Sequence, residues 1–206
     1  MTKSSELPIT MMAVVKEKPE KGFSFIEKTI TTELKDDEVL VKVLTASFCG
    51  TDYHIYTYDN WAKNRLQLPL TVGHEFSGIV EKIGSKVTKV KVGDSVSAET
   101  HIICNECEFC LRGEGHICEK TKVIGVDTDG CFANYIKMPA ANCFINSPDG
   151  NPLHLSVQEP LGNAVHTMAH FNIKDKDVVV LGCGPIGLTW KLAWIPVRTL
   201  LPIRQC

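Results

Sequence analysis

Residues 13–44 read AVVKEKPEKGFSFIEKTITTELKDDEVLVKVL, a series of short β-rich runs separated by charged turns. The runs are AVVKE, FSFIEKTI and EVLVKVL, the last entered through the acidic turn Asp36-Asp37-Glu38. Residues 39–44 alternate in the manner of a half-buried strand, because successive strand side chains point to opposite faces. Working outward, residues 78–83, 95–98 and 134–138 are further strand candidates, punctuated by Gly84, Gly93-Asp94 and Gly130. Short strands joined by glycine-bearing turns favour a compact, mainly β, barrel-like first domain. The first ten residues are polar and are predicted to fray.

The character of the chain changes near Pro160. Residues 161–171 carry helical spacing, with Leu161, Val165, Met168 and Ala169 predicted on one face. Asp177 then leads into VVVLG, a continuous apolar run of the kind a buried parallel strand shows. GCGPIG follows at once. Its Gly182, Gly184 and Gly187 permit a tight turn and let backbone amides approach a pyrophosphate at the start of a helix. The predicted division is a mainly β domain over 1–160, then a linking helix and the truncated start of an α/β nucleotide-binding domain over 161–206.

Zinc enters this reading through the cysteines. The chain has nine, an odd number, and Cys104, Cys107, Cys110 and Cys118 crowd into one loop, CNECEFCLRGEGHIC. Without an export signal, this spacing points to metal ligation by reduced thiols rather than to disulfides. Four soft ligands on so tight a loop can close a tetrahedron around one structural zinc ion. An iron–sulfur cluster is disfavoured: the gap before the fourth cysteine is long and Glu119, not proline, follows it. The intervening residues are charged or small, so the loop has no apolar core of its own and metal must hold it.

A more dispersed set consists of Cys49 in SFCGTDYHIY and the pair His74-Glu75 in TVGHEFSG. Thiolate, imidazole and carboxylate together make a three-ligand zinc shell with a free fourth position, open to a substrate oxygen. Taken singly, a buried cysteine and a surface His-Glu pair have ordinary structural explanations. His101 is a further candidate for a pocket lining. His166 and His170 stand at helical spacing without a third ligand, and Cys131, Cys143, Cys183 and Cys206 read as non-ligands.

Composition excludes other classes. Net charge is -2, with basic and acidic residues interspersed, which lacks the concentrated basic face of a nucleic-acid binder. No stretch approaches the ~20 apolar residues of a membrane span. MTKSSELPIT lacks the apolar run of a secretory signal, so a cytoplasmic location is predicted.

CGTDYHIY, GHEFSGIVEKIG and the cysteine loop, in this order, resemble the zinc-containing medium-chain dehydrogenases. GCFANYIKMPAANCF and EPLGNAVHT extend the resemblance over roughly residues 13–188, and GNAVHT tips it towards an amino-acid hydroxyl as substrate rather than a polyol or butanediol. The resemblance implies a GroES-like barrel followed by a Rossmann domain. It implies two zinc ions, one catalytic on Cys49, His74 and Glu75 and one structural, and NAD held at Gly182, Gly184, Ile186 and Gly187. It also implies a proton relay through Thr51 and His54, with Glu159 beside the metal, and homo-oligomers among full-length relatives.

The remainder departs from that pattern. The fingerprint calls for an acidic residue about 20 positions on, to hold the ribose hydroxyls. After Asp177 the chain contains no Asp or Glu, and TWKLAWIPVRTLLPIRQC carries Pro196 and Pro202. A parallel sheet also needs neighbouring strands to satisfy each strand's backbone. Two readings follow: a zinc-dependent dehydrogenase of low or no activity in this chain, or a non-catalytic zinc-binding domain.

Overall fold

The alternation that begins at Val39 runs on through β3, a ten-residue strand at the centre of the larger sheet. The computed structural model describes residues 7–173 and 176–194. In chain order the strands are β1 (Thr10–Lys16), β2 (Ser24–Thr29), β3 (Glu38–Ser47), β4 (Leu70–Thr71), β5 (Glu75–Ile83), β6 (Ser95–Ala98), β7 (His101–Ile102), β8 (Lys122–Val123), β9 (Tyr135–Pro139) and β10 (Cys143–Ile145). The helices are α1 (Gly50–Thr57), α2 (Asn60–Arg65), α3 (Glu108–Leu111), α4 (Pro152–Leu155), α5 (Gln158–His170) and α6 (Pro185–Trp194). Every strand predicted between residues 13 and 138 is present.

The strands form a five-stranded sheet in the order β10-β6-β5-β3-β9, a three-stranded sheet β2-β1-β4, and the small β7-β8 pair. All the ladders are antiparallel. The larger sheet curves where β3 and β5 shift register, between Leu40 and Val41 and again between Val43 and Thr45. Its inner face buries Val39, Val41, Phe76, Val80, Val96, Ile136 and Met138. The smaller sheet is tied to it where Ala13 bridges Ala133 and where Phe132 accepts a hydrogen bond from the Val14 amide at 2.7 Å. Phe132 packs against both apolar clusters, so the two sheets share one barrel-like interior.

One expectation for the C-terminal part, the strand at VVVLG, is corrected, while the helix expected over residues 161–171 is present as α5. In α5 the buried positions are Pro160 and Ala164, whereas Val165 and Ala169 are exposed. That helix lies against β5, β6 and α6. Residues 178–181 do not form a strand, and Leu181 is 93% exposed. Among the described residues no strand lies beside this run, and unpaired backbone cannot hold a strand against water. GCGPIG does open a helix, and α6 continues to Trp194 although the sequence departs from the family pattern after Leu188. The first six residues, Cys206 and the tail with Pro196 and Pro202 lie outside the described residues. No described helix is long and apolar enough to cross a membrane.

Candidate metal centres and the adjoining cavity

β-Sheet register explains how Cys49 reaches residues distant in sequence. Ser47, the last residue of β3, pairs with Glu75, the first of β5. Cys49 lies just beyond that pair at the N-cap of α1, and its backbone N–H donates to Asp52 Oδ2 at 2.8 Å. His74 and Glu75 enter from the other strand through Gly73, whose φ of +90° a side chain rarely adopts. Ligand atoms of Cys49, His74 and Glu75 lie within 4.8 Å of one another. His74 and Glu75 are buried, and Cys49 is half-buried.

Burial and mutual contact together shift the ionisation of all three groups. The His74 imidazole beside Cys49 holds the thiol below its ordinary value, with Thr51 assisting. Burial opposes protonation of His74, yet the Cys49 sulfur and the Asp52 carboxylate hold its pKa above the usual histidine value. Burial pushes Glu75 up. His74 Nδ1 and Asp52 Oδ1 are buried without a hydrogen-bond partner. Buried polar atoms are normally satisfied, so an unpaired imidazole nitrogen among convergent thiol and carboxyl ligands fits a zinc ion.

The second group is Cys104, Cys107, Cys110 and Cys118, whose sulfurs also lie within 4.8 Å of one another. Cys118 Sγ is 3.5 Å from Cys104 Sγ, and Cys104 Sγ is 3.9 Å from Cys110 Sγ. A tetrahedron with Zn–S near 2.3 Å requires sulfurs about 3.8 Å apart, which these two separations bracket. Asn105, at φ 59°, makes the sharp turn after Cys104, and α3 presents Cys110 back towards it. Backbone N–H groups of Glu106 and Cys107 donate to Cys104 Sγ at 3.5 and 3.3 Å. The Cys104 N–H donates to Cys118 Sγ and brings its pKa down to about 6. Burial and the neighbouring sulfurs push Cys110 up to about 12. Four such sulfurs carry compatible charges only when a cation sits among them. The exposed Leu111 and Ile117 leave the loop without a core, as its composition predicted.

Beside the trio lies a cavity of about 330 Å³ lined by Thr51, His54, Asp59 and Trp61. Thr51 Oγ1 is 3.7 Å from Cys49 Sγ. His54 is on α1, and its Nδ1 is 2.6 Å from Asp59 Oδ2. Glu159 stands in the first turn of α5, where Thr100 Oγ1 approaches its carboxylate at 3.5 Å, and its charge raises the pKa of both His74 and Glu75. His101 is exposed and paired with Glu99 at 2.6 Å. His116 from the cysteine loop and His166 from α5 meet edge to face, their ring centroids 5.2 Å apart. Cys131 and Cys143 are buried outside both ligand groups, Cys131 with its thiol 3.7 Å from the Glu75 carbonyl oxygen, and Cys183 is exposed.

Gly182, Gly184, Ile186 and Gly187 line a separate cavity of about 510 Å³ at the start of α6. A Cβ at Gly187 would meet the Gly182 carbonyl oxygen at 2.2 Å, so the turn needs glycine there. Sequence reasoning missed Asp52 and Asp59. The available signals were an acid at the third position of a helix entered through Cys49, and an acid immediately before Asn60-Trp61 at a second helix start.

These features define a class before any individual protein. Residues 35–149 match the alcohol dehydrogenase GroES-like domain, and the chain belongs to that family. It is 53% identical over 178 residues to an L-threonine 3-dehydrogenase of Caldanaerobacter subterraneus subsp. tengcongensis, an alignment covering 86% of this chain and 51% of the relative. Among solved structures, a short chain alcohol dehydrogenase of Escherichia coli CFT073 complexed with NADH superposes with TM-score 0.84 at 32% identity, over 92% of this chain and 54% of that one. A putative zinc-binding dehydrogenase of Sinorhizobium meliloti 1021 bound to NADP gives TM-score 0.81 at 33% identity, over 90% of this chain and 53% of the other. The chain thus spans about half the length of the relatives it matches.

Proposed function

We propose that this chain is the zinc-binding half of a dehydrogenase acting on the hydroxyl of a small alcohol or amino acid, with L-threonine the favoured substrate. Cys49, His74 and Glu75 hold the catalytic zinc, and Cys104, Cys107, Cys110 and Cys118 hold a structural one. The observation that carries this reading is the convergence of Cys49, His74 and Glu75 beside the cavity lined by Thr51 and His54. Zinc bound there supplies Lewis acidity that lowers the pKa of the substrate hydroxyl. Thr51 takes the hydroxyl proton and passes it to His54, since a hydroxyl donates and accepts at once and an imidazole nitrogen can accept a proton. Glu159 adds negative charge beside the metal ligands. NAD, held at Gly182, Gly184, Ile186 and Gly187, is the hydride acceptor. The overall change is L-threonine and NAD+ to 2-amino-3-oxobutanoate, NADH and a proton.

A cytoplasmic setting, which keeps thiols reduced, and association of copies of the full-length protein fit the same reading. A second reading, a non-catalytic zinc-binding domain, is favoured by the absence, among the described residues, of a strand beside residues 178–181. Metal analysis and cobalt substitution separate them. The reading requires two zinc ions per chain, with Cys49→Ser and Cys107→Ser each losing a different one. L-threonine should perturb the visible spectrum of cobalt at the Cys49 site, while NADH formation by this chain stays barely measurable or nil. A response to a diol but not to threonine would move the substrate to the polyol class. No response to any alcohol would leave the non-catalytic domain.

A further inference from the structure

Asp59 has no role in the reading above, yet it is built into the cavity wall. The turn between α1 and α2 passes through Tyr58 in the left-handed region, at φ 51°. That turn folds Asp59 back over the end of α1, where its amide reaches the His54 carbonyl at 3.4 Å. The two carboxylate oxygens then do different things. Oδ1 accepts the Ala62 amide at 3.0 Å and caps α2, while Oδ2 lies 2.6 Å from His54 Nδ1. The cap fixes the carboxylate, and the fixed carboxylate fixes the ring. Trp61, the second residue of α2, stands edge-on to the same imidazole with centroids 6.3 Å apart.

We infer that Asp59 is a positioning residue that locks neutral His54 in the tautomer protonated at Nδ1, leaving Nε2 as the proton-accepting atom for the cavity it shares with Thr51. An ionised carboxylate is an acceptor only, so a 2.6 Å contact requires the hydrogen on Nδ1. Neutral imidazole carries one N–H, and its remaining nitrogen is then a free acceptor. The relay needs that free lone pair. A histidine protonated at Nε2 would meet the Thr51 hydroxyl donor to donor at the moment of transfer. The same logic governs triads in which a buried carboxylate holds the base in the correct tautomer. The functional part of the inference rests on the dehydrogenase reading; the tautomer does not.

Asn at position 59 separates cap from tautomer. Its amide oxygen can replace Oδ1 on the Ala62 N–H, and its NH2 then occupies the place of Oδ2 and donates to Nδ1. Asp59→Asn should therefore keep the fold and drive His54 to the Nε2–H form, whereas Asp59→Ala should lose the cap and leave a mixture. The measurement is 15N–1H correlation of the imidazoles in the full chain, zinc-loaded, at alkaline pH with imidazoles neutral. His54→Gln identifies the resonances among the seven histidines. Wild type showing a protonated Nδ1, and Asp59→Asn showing exchange of the two nitrogen signatures at unchanged melting temperature, is the expected result. Wild type protonated at Nε2 or mixed, or no change in Asp59→Asn, overturns the inference whatever the metal and alcohol assays give. Failure of the alcohol response alone would remove the relay and leave the tautomer lock standing.

Discussion

At the level of single residues, the approach of the site loop to the barrel is set by backbone meeting backbone. The Gly130 amide donates to the Thr71 carbonyl and the Cys131 amide to the Gly73 carbonyl, at 2.8 and 2.9 Å, which pins the chain immediately before His74. A Cβ at Gly130 would stand 2.1 Å from the Gly73 oxygen and 2.7 Å from Gly125 Cα, with no flexible side chain to give way. Gly130→Ala should cost about 1–3 kcal/mol in urea unfolding, as overpacking of a well-filled interior does. It should also lower zinc occupancy at Cys49, His74 and Glu75 while sparing the four-cysteine loop. The sequence showed Gly130 only as turn punctuation. Its contact with Gly73, 57 positions away, arises from the fold.

At the level of elements, Asp129 joins strands that are not adjacent in sequence. Its carboxylate accepts from Lys28 Nζ on β2 at 2.7 Å and from the Thr71 amide on β4 at 2.8 Å. Burial alone would raise its pKa, but the Lys28 ammonium and the Thr71 amide outweigh it and hold the carboxyl below the ordinary range. A depressed carboxylate contributes stability above its unfolded value, near 3.9, and that contribution is lost as pH falls through the lower folded value. Asp129→Asn should thus destabilise by about 0.5–1 kcal/mol at pH 7, the difference from wild type narrowing below about pH 4 in denaturant titrations. The β-pattern of residues 13–44 was legible because its period matches the pleat. The helix of α5 was legible from its spacing, but that Ala164 is its buried position within residues 161–171 was not, because periodicity reports which residues share a side and not what lies beside it.

For the molecule as a whole, the barrel-like interior is filled with buried apolar side chains while residues 178–181 present theirs to solvent. Val179 is 79% and Leu181 93% exposed. Contiguous apolar surface of this kind promotes association. The double change Val179→Lys, Leu181→Glu should reduce light scattering and binding of an apolar fluorescent dye, with zinc content unchanged. Altered zinc content would mean that this run supports the barrel.

The local chemistry of the cysteine loop was determined by sequence alone, because its four ligands lie within one short segment that can turn around a single ion. So were the strand pattern of the first domain and the glycine turn into α6. Tertiary structure decided what depends on distant segments: the meeting of Cys49 with His74 and Glu75 through the Ser47–Glu75 register, and the placing of Glu159 beside them. Among the described residues VVVLG has no neighbouring strand, and a strand exists only through hydrogen bonds to a neighbour that its own residues cannot specify.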